Sequence, residues 1–155
     1  MLTMSKLDLT DRRIVLALDT APRATVQYLS DSLRLARGTV QARLERLMTD
    51  QALRATSTTV TGELIDLPLR ALVTAEVDQA QLRAMVLDLS QITEIIECLA
   101  ISGENDLMLQ VLARDADHVY EITQRIMACR GIRRTATSIV LREIMSYRMA
   151  QLLAN

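Results

Sequence analysis

The chain is nearly devoid of aromatic side chains. Its 155 residues include three Tyr, no Phe and no Trp. Proteins that hold single-stranded RNA or DNA stack its bases on aromatic rings, so that mode of recognition is excluded. Any core must be built from Leu, Ile, Val, Met and Ala. Histidine occurs once, as His118, and cysteine twice, as Cys98 and Cys129. These residues make no cluster with metal-ligand spacing and no Ser–His or Cys–His pairing, and there is no phosphate-cradling Gly loop. Neither catalysis nor a cofactor or metal is therefore expected. Both cysteines lie in apolar patterns and read as small core hydrophobes of a reducing compartment. His118, flanked by Asp115 and Asp117, reads as a solvated surface residue. No apolar run approaches 18 residues and the N-terminal residues carry no signal-peptide pattern, so a cytoplasmic protein without membrane contact is expected.

What is present divides unevenly. The length allows one ordinary domain or two small ones, and a hydrophobic content of 50% suffices for packed cores. The net charge of -1 hides an asymmetry. Residues 1–60 hold 9 Lys+Arg against 6 Asp+Glu, hence +3, and residues 61–155 hold 9 against 13, hence -4. The first part suits a phosphate backbone and the second does not. An excess of three charges is small, so one copy binds a polyanion weakly and several copies acting together make up the difference.

Residues 11–53 show three short helical patterns broken by turns. Apolar residues repeat at helical spacing: Ile14 and Leu18, then Val26, Leu29 and Leu33, then Val40, Leu44 and Leu47. Thr10 or Asp8 caps the first helix, which TAPRAT (20–25) ends. Thr25 caps a second helix over 25–33. Arg34-Leu35-Ala36 turns into a third over 37–50, whose opposite face offers Arg37, Thr39, Gln41, Arg43 and Arg46. A short helix held by two others, with such a face turned outward, is how a helix-turn-helix module enters a major groove. On that reading Arg37, Gly38, Thr39, Gln41 and Ala42 meet base edges, and Arg43 and Arg46 reach phosphates. Arg43 has an alternative, a neighbouring carboxylate within the domain.

Residues 53–68, with Thr56, Thr58, Thr59, Val60 and Thr61 before Gly62 and Pro68, read as an extended linker. The period then changes. Residues 69–77 alternate as a strand with Leu69, Ala71, Val73, Ala75 and Val77 on one face. Residues 79–89 are helical with Leu82, Val86 and Leu89 inward. Strands follow over 92–101 and 107–113, a helix over 115–130, a strand over 132–142 and a short helix over 144–153. The order β-α-β-β-α-β is that of a ferredoxin-like domain. Apolar residues fall on both faces of 92–101, with Ile95, Leu99 and Ile101 opposed to Ile96, Cys98 and Ala100. Burial of both faces, most simply by a second copy of the sheet, is expected.

Two stretches carry a family likeness. One is Leu7-Asp8, Asp11, Ile14, the Pro22-Arg23 break, Leu29, Leu35 and Arg43-Leu44-Glu45-Arg46-Leu47. The other is IIECLAISGENDLMLQV (95–111), with its EC-x-x-x-SG-x-x-D link between strands. In this order and spacing the chain resembles the Lrp/AsnC (feast/famine) transcriptional regulators over nearly its whole length. The resemblance implies an α+β protein. A winged-type helix-turn-helix domain (1–53) is followed by a linker with an extended strand (54–68) and a ferredoxin-like effector-binding and oligomerisation domain (69–155). It further implies a nucleoid-associated regulator that binds double-stranded DNA and self-associates into dimers and octamers. A small effector, typically an amino acid, would bind between dimers near Ser102, Gly103 and Asp106, with Thr137 joining them by neighbourhood. The alternatives are an architectural nucleoid-associated protein without effector and a haem-biosynthesis decarboxylase; the latter needs more histidine than His118. The chain departs from the family pattern at Arg34, where Gly is usual, at Ala36, where a Ser cap is usual, and at Thr56, where an aromatic residue is common.

Overall fold

The computed structural model describes residues 6–49 and 52–154. The chain forms two compact units. One comprises the N-terminal residues up to Thr58 with those from Met145 on, and the other Thr59–Ile144.

The first unit is built on α1 (Leu9–Thr20), α2 (Val26–Leu33) and α3 (Arg37–Thr49). Asp8 caps α1 in a reciprocal box. Its carboxylate accepts the Asp11 N–H at 2.9 Å, and the Asp11 carboxylate accepts the Asp8 N–H at 3.0 Å. Ala21 leaves the helical region (φ -134°, ψ 78°), as the residue before Pro22 must. Thr25 caps α2 through the Tyr28 N–H at 3.1 Å. Ile14, Leu29, Val40 and Leu47 are sealed from solvent and form the core between the helices. The expected end of α3 at residue 50 lies outside the described residues.

The turn between α2 and α3 keeps its tight geometry without glycine. Arg34 is left-handed (φ 56°, ψ 47°), the Leu35 N–H bonds back to the Ser30 carbonyl at 3.0 Å, and the Ser30 hydroxyl donates to the Leu35 carbonyl at 2.6 Å. Arg13 Nη2 donates to the Leu33 carbonyl at 2.7 Å, satisfying the end of α2 from outside. The departure at Arg34 is thus tolerated as strain and not avoided by another turn.

Two expectations fail after α3. Among the described residues no strand lies between α3 and Leu69, so no β-wing is found there. The stretch expected to be extended contains 3₁₀ turns at Thr56–Thr59 and Gly62–Ile65. Local bonds explain this. The Thr58 N–H and hydroxyl both donate to the Ala55 carbonyl, at 2.9 and 2.7 Å, and Leu67 N–H donates to the Gly62 carbonyl at 2.9 Å. A Cβ at Gly62 would stand 2.2 Å from the Leu67 carbonyl oxygen, so this turn closes only on glycine.

The second unit is the ferredoxin-like α+β sandwich. Its strands are β1 (Leu69–Val77), β2 (Ile95–Ala100), β3 (Leu107–Ala113) and β4 (Ile132–Ile139), antiparallel in the order β2-β3-β1-β4. Helices α4 (Leu82–Leu89) and α5 (Ala116–Met127) supply the rest of its core. Alternate residues of β1 and β3, such as Val73, Ala75, Leu109 and Val111, are sealed in that core with Met85, Ile122 and Ile126. Their neighbours Leu72, Met108 and Leu112 lie half-buried on the opposite face.

Register slips between Ile95 and Glu97, so Ile95 pairs with the core residue Val111 whereas Leu99 pairs with Met108. A bulge therefore puts Ile95 and Leu99 on opposite faces despite their even spacing. On α4 it is Met85, with Leu89, that turns inward, and Leu82 and Val86 are exposed. Cys98 is exposed on β2, at the sheet edge, whereas Cys129 is buried. The sheet unit does not extend to residue 155. From Met145 on, the chain packs with the first unit: α6 (Ala150–Leu153) meets α1, and the Arg54 guanidinium lies 4.9 Å from the Tyr147 ring centroid.

The strain at Arg34 is testable. A left-handed non-glycine residue costs about 1–2 kcal/mol, and glycine's freedom in the unfolded chain gives back about 0.5–1 kcal/mol. Arg34→Gly is expected to raise stability against urea by up to about 1.5 kcal/mol, and a loss of stability would contradict the assigned turn.

Candidate nucleic-acid interface and effector loop

Helix α3 has two sides. Val40 and Leu47 are buried, and Arg37, Gly38, Thr39, Gln41 and Ala42 are all exposed. Gln41 Nε2 donates to Glu45 Oε1 at 3.2 Å one turn on, which holds its amide along the helix. A Cβ at Gly38 would meet nothing within 4 Å, so no packing inside the chain demands glycine there. Small Gly38 and Ala42, flanked by Arg37, Thr39 and Gln41, make a surface that a base edge can approach closely. Arg and Gln are side chains that read guanine and adenine through paired hydrogen bonds.

Arg43 and Arg46 are placed differently from the phosphate role expected for them. Arg43 Nη1 pairs with Asp8 and lies 3.1 Å from Asp11 Oδ1, and Arg46 Nη2 pairs with Asp11 Oδ2. Asp11 is fully buried. An ionised carboxylate there needs compensation, and the two guanidinium groups with the Asp8 N–H supply it. Burial alone would raise the Asp11 carboxyl, but Arg46, the Asp8 N–H and Arg43 outweigh it, and the net shift is downward. The Asp11 N–H first, then Arg43, hold Asp8 at about 2 against an ordinary 3.8. The Arg43 guanidinium is pushed up in turn by Asp8 and Asp11. The alternative weighed for Arg43, a carboxylate inside the domain, is the arrangement found. The acids themselves escaped the sequence reading as partners, although the matched spacings 8/11 and 43/46 were there to be seen.

In the second unit Ser102, Gly103 and Asp106 share the loop between β2 and β3. Ser102 and Gly103 are exposed, and Gly103 has φ 129°, a conformation side chains disfavour. Asp106 is half-buried. Its Oδ2 accepts the Val77 N–H at 2.8 Å, and its own N–H donates to the Ala75 carbonyl at 3.0 Å, which ties the loop to the end of β1. Thr137 is not brought to this loop. It pairs with Val73 in mid-strand, four residues or about 13 Å back from Val77. Its hydroxyl lies 3.2 Å from that of Thr123 on α5.

His118, expected in solvent, is buried. Its Nδ1 accepts the Arg114 N–H at 3.2 Å. Its Nε2 lies 3.5 Å from Glu94 Oε1, which also accepts Arg125 Nη1 at 2.8 Å. Local pairing thus replaces hydration. Desolvation pushes up the thiols of Cys98 and Cys129, so neither is primed as a nucleophile. Among the described residues no group of three His, Cys, Asp or Glu side chains converges as a metal site.

A three-helix head with an outward helix, joined in one chain to a ferredoxin-like ligand-binding domain, defines a transcriptional regulator of the two-domain kind. The AsnC-type helix-turn-helix domain matches residues 7–48 and the Lrp/AsnC ligand binding domain matches residues 70–150, so the chain belongs to the Lrp/AsnC family. It is 27% identical over 142 residues to the HTH-type transcriptional regulator Rv2324 of Mycobacterium tuberculosis, a match covering 89% of this chain and 94% of the relative. Its fold is that of Escherichia coli AsnC (TM-score 0.83, 18% identity, 94% of this chain and 99% of the other). It is also that of the Neisseria meningitidis regulator NMB0573 in complex with L-Met (TM-score 0.79, 24% identity, 91% and 94%).

The depressed acids set the pH response. Asp8 titrates at about 2 when folded and at 3.8 ordinarily, so its contribution is complete above pH 4 and is lost as pH falls toward 2. Asp88, held at about 2 by the Arg130 side chain and then its N–H, gives the second unit the same window. Acid unfolding followed by circular dichroism should therefore steepen below pH 4. Asp8→Asn should flatten that limb, and an unaltered limb would contradict the pairing with Arg43.

Proposed function

We propose that this chain is a homo-oligomeric, sequence-specific regulator that binds double-stranded DNA through α3, acts in the cytoplasm at the nucleoid and responds to a small effector, an amino acid. The observation that carries the reading is the exposure of Arg37, Gly38, Thr39, Gln41 and Ala42 as one face of a helix whose other side is sealed by Val40 and Leu47. Two copies would read half-sites about one helical turn apart, or a multiple of it.

Self-association is supported by the sheet face that carries Leu72, Leu99 and Met108, which a second sheet would cover. The effector reading is supported by the open, glycine-strained loop Ser102–Asp106 and by a protein of the same fold that is known in complex with L-Met. In such a site an acidic side chain holds an ammonium group and backbone N–H groups hold a carboxylate. Asp106 gives one oxygen to Val77, which leaves exposed Glu104 as a further acid for that role. Effector binding would shift the assembly or the spacing of the heads, a change of populations and not local chemistry.

Footprinting tests the interface. Arg37→Ala combined with Gln41→Ala is expected to abolish specific protection and leave weak, uniform binding, and an unchanged footprint would remove α3 as the reading surface. Calorimetry with each of the twenty amino acids tests the effector. Heat from one of them, lost in Gly103→Val, supports the loop. No heat together with a uniform wild-type footprint supports an architectural role instead.

A further inference from the structure

Three arginines project from α3, and only Arg37 lies among the exposed residues of its first turns. Arg43 and Arg46 turn back onto the start of α1. Asp11 Oδ1 faces Arg43, Asp11 Oδ2 takes Arg46 and the Asp8 N–H, and the Asp8 carboxylate takes Arg43 and the Asp11 N–H. Two acids and two bases neutralise one another. The Asp11 side chain has no exposure, while those of Arg43 and Arg46 keep about a third of theirs (30% and 35%).

Such a cluster does what apolar packing does not. The contacts of Val40 and Leu47 are non-directional and tolerate a helix that slides or rolls. A buried carboxylate with both oxygens engaged does not, because a small roll of α3 breaks its contacts with Arg43 and Arg46 and strands a charge. We infer that Asp8, Asp11, Arg43 and Arg46 form a lock that fixes the roll and depth at which α3 presents Arg37 to Ala42, and that Arg43 and Arg46 are positioning residues and not phosphate ligands. The inference rests on the proposed DNA-binding role of α3.

Electrostatics alone and the lock make opposite demands. Removing a negative charge near the DNA strengthens binding to any duplex if charge is all that matters. The lock requires specific binding to weaken. The test uses the full chain, a duplex selected from a random pool by the wild-type protein, and a scrambled duplex, over a salt series. Asp8→Asn suits it, because Asp8 is half-exposed and Asn still caps a helix.

Its affinity for the selected duplex is expected to fall tenfold or more, with affinity for the scrambled duplex equal or higher. Arg43→Gln is expected to lose specific affinity without changing the slope of log K against log salt. A phosphate ligand would lower that slope by about one. Specific binding by Asp8→Asn as tight as wild type, or a slope lowered by one in Arg43→Gln, overturns the lock. If the wild-type chain selects no duplex at all, the DNA reading falls, and the lock with it.

Discussion

A carboxylate with no contact to water organises the first unit. Asp11 sits at the start of α1, and burying it is unfavourable unless its charge is matched. The match comes from residues more than thirty positions later, Arg43 and Arg46 on α3, and from the Asp8 N–H of the same cap. One local motif, the reciprocal cap of α1, thus becomes a tertiary contact. It ties the helix that starts the domain to the helix that ends it. In this arrangement both oxygens of Asp11 are satisfied, Oδ1 by Arg43 and Oδ2 by Arg46 and the Asp8 N–H. Arg13 does a smaller version of the same work for the end of α2, and the strained Arg34 shows that the turn is dictated from outside itself.

The second unit follows a different logic. Its core is made by alternation, with Val73, Ala75, Leu109 and Val111 turned to α4 and α5. The opposite face stays half-buried in a single chain. Charged side chains of this unit pair, Asp88 with Arg130 and Glu94 with Arg125. The basic first part matches a helix-turn-helix domain and the acidic second part a ligand binding domain. That division is the family's, as the two matched domains state.

Periodic patterns were legible where packing is periodic. The stripes through Ile14, Leu29, Val40 and Leu47, the limits of β1 and β3, and the inward row Val119, Ile122 and Ile126 on α5 all follow from spacing alone. What spacing could not convey is where the period breaks. The slip after Ile95 swaps the faces of β2, and on α4 the helical stripe through Met85 and Leu89 takes the core in place of the equally periodic Leu82 and Val86. The linker's β-branched residues suggested a strand, but a strand needs a partner, and local carbonyls captured Thr58 and Leu67 first. Partners distant in sequence were the hardest to see. Arg43 and Arg46 look unpartnered until their carboxylates are known, and His118 looks solvated until Glu94 is beside it. The exposure of Arg37, Gly38, Thr39, Gln41 and Ala42 was readable because it depends only on which side of α3 the core takes.

The arginine side chains of α3 report most directly on this division between reading and positioning. Nitrogen-15 spectra of the guanidinium Nε groups, recorded as a specific duplex is added, separate the two. Arg37 Nε should shift and broaden while Arg43 and Arg46 Nε stay at their free positions, held by Asp8 and Asp11. Movement of Arg43 and Arg46 with Arg37 unmoved would contradict the account at its centre.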